Sequence, residues 1–129
     1  MPLHAFDHIN IHSEDTARLA EWYGDILGLR IGPRPDGLGV EGLWLYLGDQ
    51  AILHLVDAPN VHRPGADVVP ALEHIAFRAT GLDEFQNHLA RRQIDYTPFE
   101  VAEVGLVQIN LNDCDGNHLH IDFPLEEMP

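Results

Sequence analysis

The chain has 129 residues, and nine of them are histidine. Four of the nine fall at a spacing that implies a common task. His8 and His74 lie 66 positions apart, and so do His54 and His120. The neighbours repeat with them: Asp7-His8-Ile9 matches Glu73-His74-Ile75, and Leu53-His54-Leu55 matches Leu119-His120-Ile121. At the same offset Gly39, Leu43, Leu45 and Asp49 meet Gly105, Ile109, Leu111 and Asp115. Scattered at random, the histidines would give about 0.3 coincidences at one chosen offset, which makes the repeat a property of the chain. Neutral imidazole is a common ligand for Zn, Fe, Ni and Cu, so two duplicated pairs predict a metal centre formed by His8, His54, His74 and His120. Four imidazoles leave the full charge of the ion uncompensated, and a six-coordinate ion keeps two positions for substrate or water. Any one of the four, taken alone, is better read as a strand histidine bonded to a nearby carboxylate. His4, His12, His62, His88 and His118 have no partner at the offset and are expected at the surface or behind the ligands. His118 shares a strand face with His120 and is the nearest substitute for a failing ligand.

These residues must be carried by two half-repeats of about 66 residues. In the first half, Ala5 to Ile11 alternates as a strand, with Phe6, His8 and Asn10 on one face. Ser13-Glu14-Asp15-Thr16 reads as a helix start with acids in its first turn, and Gly28 as the stop. Leu19, Trp22, Tyr23, Ile26 and Leu27 recur at helical spacing between them. A short strand at Leu29 to Ile31 precedes the breaker run Gly32 to Gly37. Strands at Gly39 to Leu47 and Ala51 to Val56 follow, joined by a tight turn at Gly48-Asp49. The second half repeats this β-α-β-β-β order. Its strands are expected at Leu72 to Ala79, Ile94 to Phe99, Leu106 to Leu111 and His118 to Phe123, with a helix over Leu82 to Arg92. The fold class is therefore α+β, one domain over 1–129 made of modules at about 1–58 and 71–125. The Pro- and Gly-rich stretch 59–70 is the linker. Convergence of all four imidazoles requires the sheet to curl.

Composition excludes several partners. Acids number 21 against seven bases, all of them Arg, for a formal charge of −14. Such a surface repels phosphate backbones and anionic lipid, so neither nucleic acid nor membrane is expected as a partner. No apolar run is long enough to span a bilayer, and no secretory signal is read at the N-terminus. The single cysteine, Cys114, forbids an intrachain disulfide and fits a cytoplasmic location.

Beyond the histidines, Phe6-Asp7-His8-Ile9, Trp22-Tyr23, Leu27-Gly28-Leu29, Ala51-Ile52-Leu53-His54-Leu55, Glu73-His74-Ile75-Ala76-Phe77 and Asp113-Cys114-Asp115-Gly116-Asn117-His118-Leu119-His120 form an ordered set along nearly the whole chain. Together they resemble the vicinal-oxygen-chelate superfamily, which includes glyoxalase I, extradiol dioxygenases, fosfomycin-resistance proteins and bleomycin-binding proteins. The resemblance implies paired βαβββ modules forming an open, curled mixed β-sheet around one divalent metal (Fe, Zn, Ni or Mn). It also implies ligand positions at His8, His54, His74 and His120, and a homodimer. One departure stands out. The family's usual Glu at the end of the Asp-x-x-Gly-Asn-x-x-Glu stretch is His120 here.

A metal-bound imidazole cannot readily shuttle a proton, because its lone pair is committed. With no ligand carboxylate as base, a metalloenzyme that chelates two neighbouring oxygens of a small substrate is expected to use Fe(II) in a dioxygenase reaction. A glyoxalase-type lyase or isomerase and a non-catalytic, bleomycin-resistance-like binder are the alternatives. Asp122, on the strand face of His120, is the candidate catalytic acid; a solvated strand-end role is the blander expectation. Trp44 and Tyr46 share one face of a strand and are the candidate substrate-binding pair, with packing against the helix as the competing role. Arg34, Arg78, Arg91 and Arg92 offer local anion clamps in an otherwise acidic chain.

Overall fold

In the computed structural model, which describes residues 2–63, 65 and 67–129, the chain divides into two compact units, Met1–Arg63 and Pro64–Pro129. Of the expected linker 59–70, residues 64 and 66 lie outside the described residues, as does residue 1 of the first module.

The first unit runs β1 (Ile9–Ser13), α1 (Thr16–Leu27), β2 (Arg30–Gly32), β3 (Gly42–Leu47) and β4 (Gln50–Asp57). Its sheet has the order β1-β4-β3-β2, with β1 parallel to β4 and the other pairs antiparallel. A parallel pair needs a long crossover, which α1, β2 and β3 supply. Asp15 caps α1 by accepting from Arg18 N at 3.0 Å, and no acid stands in the first turn, contrary to expectation. Gly28, at φ +74°, ends the helix in the left-handed conformation that a side chain resists. Leu19, Ala20, Tyr23 and Ile26 of α1 are buried, as are Leu45, Leu53 and Leu55 on one sheet face.

The expected first strand begins too early. Pairing starts at Ile9 with Leu53, and residues 5–8 lie outside it. Gln50 Nε2 donates to the carbonyls of Phe6 and Asp7 at 3.1 and 2.6 Å, so a side chain takes bonds that a ladder would have used. Phe6 is exposed.

The second unit repeats the plan with β5 (His74–Arg78), α2 (Leu82–Arg91), β6 (Thr97–Val101), β7 (Leu106–Asn112) and β8 (His118–Pro124). The sheet order is β5-β8-β7-β6, with β5 parallel to β8. Short 3₁₀ turns at Ala102–Val104 and Leu125–Glu127 follow β6 and β8. Glu127 reaches back to accept from Gly81 N and Leu82 N at 3.0 and 3.1 Å, capping α2 from outside the helix. The strand expected at Ile94 to Phe99 starts three residues later. Ile94 N is tied to Leu89 O in the helix end, and Gln93 sits at φ +56°. Pro98 is tolerated because β6 is an edge strand. Val107, Ile109, Leu111, Leu119, Ile121 and Phe123 make the buried face, and Phe85 of α2 meets Phe123 at 5.4 Å between ring centroids.

Candidate metal centre

Alternation along the strands decides which side chains share a face. In the second unit, register pairs His74 with His118, Ala76 with His120 and Arg78 with Asp122 across β5 and β8. Asn110 of β7 stands opposite His120. The buried apolar residues fill the other face, so this one carries three imidazoles, Asn110 and Asp122, with Ala76, Arg78 and Gln108 beside them. The turn between β7 and β8 sets the height of the imidazoles. Asp113, almost fully buried, accepts from Asp115 N and Asn117 N at 2.9 and 3.0 Å, and Asn117 Nδ2 donates to its other oxygen at 2.9 Å. Gly116, at φ +89°, completes the reversal.

Ring centroids lie 4.6 Å apart for His74 and His120, 5.4 Å for His74 and His118, and 6.4 Å for His118 and His120. Glu73 Oε2 is 2.6 Å from His118 Nδ1 and 3.1 Å from His74 Nδ1. The hydrogen bond from His118 comes first among the causes that lower the Glu73 pKa, keeping the group a carboxylate. His118 Nε2 also meets Asn110 Oδ1 at 2.9 Å, so both of its nitrogens are engaged. His120 is held differently. Its Nδ1 lies 2.6 Å from Asp122 Oδ1, and the two side chains are only 8% and 16% exposed. Asp122 is thus a half-buried partner of His120, where the blander expectation was a solvated strand-end acid.

In the first unit, His54 lies between two rings. His8 stacks on it at 3.6 Å with 11° between the planes, and Trp44, its register partner on β3, at 3.9 Å with 13°. His8 Nδ1 bonds Asp7 Oδ2 at 2.6 Å, and His54 Nε2 bonds the carbonyl of Ala51 at 3.1 Å. Burial is the main cause lowering the His54 pKa, reinforced by the His8 ring, so His54 is neutral at pH 7. Trp44 pairs with His54 across β3 and β4, and the register shifts between Leu45 and Tyr46 so that Tyr46 pairs with Ala51. Tyr46 donates to Pro33 O, with the Arg30 guanidinium 4.8 Å over its ring.

The second unit's donors fit a divalent cation. Around a six-coordinate ion with bonds of about 2.1 Å, neighbouring donors stand roughly 3.0 Å apart and neighbouring imidazole centroids roughly 4.5 Å apart. Of the three ring separations, the 4.6 Å between His74 and His120 lies close to the latter value, whereas the Glu73 contacts to His118 and His74 at 2.6 and 3.1 Å are hydrogen bonds. Glu73, His74 and His118 each offer a ligand atom, all within 4.8 Å of one another. Imidazole with carboxylate suits Zn, Fe, Ni or Mn. The stacked pair in the first unit is arranged otherwise. The in-plane lone pairs of two nearly parallel rings run side by side, so ligating one ion through both requires a ring to turn.

The family model described as the Glyoxalase/Bleomycin resistance protein/Dioxygenase superfamily matches residues 5–121. The chain belongs to this superfamily. Glyoxylase I 4 of Arabidopsis thaliana is 29% identical over 126 residues, spanning 93% of this chain and 72% of the relative. A glyoxalase/dioxygenase from Nostoc punctiforme has a TM-score of 0.80 at 21% identity, with 95% of this chain and 92% of that one covered. A lactoylglutathione lyase from Agrobacterium tumefaciens has a TM-score of 0.69 at 21% identity, with 95% of each chain covered. The α+β arrangement of two four-stranded mixed sheets is the glyoxalase fold. Within the glyoxalase superfamily frame, the carboxylate that sequence reasoning overlooked is Glu73. Its signal was present: an acid precedes the histidine in both Asp7-His8 and Glu73-His74. Strand alternation would send neighbours to opposite faces, but Glu73 stands one residue before β5, where alternation does not yet apply.

Proposed function

We propose that the chain is a divalent-metal-dependent enzyme acting on a small organic substrate with two neighbouring oxygens. In this reading His8, His54, His74 and His120 are metal ligands, and Trp44 and Tyr46 lie along the substrate. The bound metal (Fe, Zn, Ni or Mn) would serve as a Lewis acid toward charge developing on those oxygens. The observation that carries the reading is Glu73 Oε2 set against the rings of His74 and His118 beside His120. It restores the carboxylate whose absence favoured an Fe(II) dioxygenase, and lyase or isomerase chemistry becomes the leading reading. Glu73 Oε2, half-exposed and ionised, takes a proton from a carbon beside a substrate oxygen and returns it to the neighbouring carbon. His118 holds that carboxylate in place through Nδ1. The likeness to Glyoxylase I 4 supports the same class.

The dioxygenase is the second reading, and His120, standing where the family usually has Glu, changes the metal site of both enzyme classes. Assays of metal-loaded protein with thiol adducts of 2-oxo aldehydes, and with catechols with and without oxygen, separate the two. Turnover of the adducts that is lost in Glu73→Gln supports the lyase or isomerase. Oxygen-dependent ring cleavage supports the dioxygenase, and ligand binding with no turnover in either assay supports a bleomycin-resistance-like binder. We also propose that one domain is formed by both modules and that the protein is a homodimer.

A further inference from the structure

The geometry points to Asp122 as a positioning residue that sets the tautomer of His120. The inference rests on the reading of His120 as a metal ligand. The two residues are i and i+2 on β8 and therefore project from one face. The 2.6 Å contact joins Nδ1 to Oδ1, and both side chains are largely buried. The backbone under Asp122 is fixed on both sides. Its register partners are Arg78 on β5 and Gln108 on β7, and its carbonyl accepts from Ala79 N at 2.9 Å. An ionised carboxylate only accepts, so the imidazole facing it carries its proton on Nδ1. A neutral ring protonated there presents its lone pair at Nε2, which has no hydrogen-bond partner among the described residues. That is the arrangement in which an outer carboxylate orients a ligating imidazole and raises its basicity.

The other imidazoles are held less exclusively. His74 shares Glu73 with His118, and that carboxylate is half-exposed. His54 leans on a backbone carbonyl, which no substitution removes. At the repeat offset, Asp122 falls opposite Val56, so the first module has no counterpart of this carboxylate.

The test uses ¹⁵N-labelled, metal-free protein and long-range imidazole ¹H–¹⁵N correlations at mildly alkaline pH. Wild type and Asp122→Asn, whose amide oxygen still accepts, are expected to show His120 as the Nδ1–H tautomer. Asp122→Ala is expected to shift it toward Nε2–H. Zinc titrations of the same proteins should give a tenfold to hundredfold weaker Kd for Asp122→Ala, with Asp122→Asn within a few-fold of wild type. An Nε2–H tautomer in wild type overturns the inference and requires no variant to fold. Equal tautomers and equal zinc affinity in a folded Asp122→Ala overturn it as well. Wild-type protein with the Nδ1–H tautomer but no zinc uptake upholds the pairing and contradicts the metal reading instead.

Discussion

An imidazole binds a cation only through a nitrogen without a proton, so the group holding the other nitrogen prepares the ligand. His8, His54, His74 and His120 each have one nitrogen tied to a carboxylate or carbonyl, whereas His118 has both engaged. If Glu73 moves the proton, Glu73→Gln should lower kcat by about 10²–10⁴ in protein reconstituted to the same metal content as wild type. Steady-state kinetics beside elemental analysis checks this, and full activity in the variant contradicts it. His54 makes a separate prediction for metal-free protein. Its folded pKa lies below the ordinary value of 6.5 because of burial and then the His8 ring. Between that folded value and pH 6.5 the unfolded chain binds more protons, so stability rises with pH there and is lost as pH falls. Urea midpoints across that window should show a flatter pH slope in His54→Asn than in wild type. Equal slopes would rule out this contribution.

Elements place these groups, and much of that placement was legible in the sequence. The duplicated histidine spacing, the helical run from Leu19 to Leu27 and the stop at Gly28 specify β-α-β-β-β, repeated in the second half. Gly28→Ala should cost about 1–2 kcal/mol in urea unfolding from left-handed strain alone, since a Cβ there meets nothing within 4 Å. Asp113→Ala should cost about 1–3 kcal/mol through the lost turn bonds, and it should weaken metal binding because His118 and His120 ride on that turn. A variant as stable as wild type contradicts the role of the turn. Strand ends were less legible, for reasons beyond local pattern. Gln50, from 43 residues away, takes the carbonyl of Asp7, and Leu89 holds Ile94 in the helix end. Glu73 was missed because alternation assigns adjacent residues to opposite faces, a rule that lapses just outside a strand.

At the scale of the whole molecule, the formal charge of −14 draws divalent cations to the surface without selecting a site. Specific binding is distinguished by linkage. Zinc at a hundredfold excess over Kd should stabilise the folded protein by about 2.7 kcal/mol. No described helix is long and apolar enough to cross a membrane. The homodimer proposed above predicts dimeric sedimentation at micromolar concentration, and a monomer there refutes it. Whether these imidazoles hold a divalent cation is tested most directly by elemental analysis of purified, dialysed protein, before and after reconstitution. Stoichiometric metal in wild type, sharply reduced in His74→Ala and His120→Ala, is the expected result. Wild-type protein that carries no divalent metal and takes up none would contradict it.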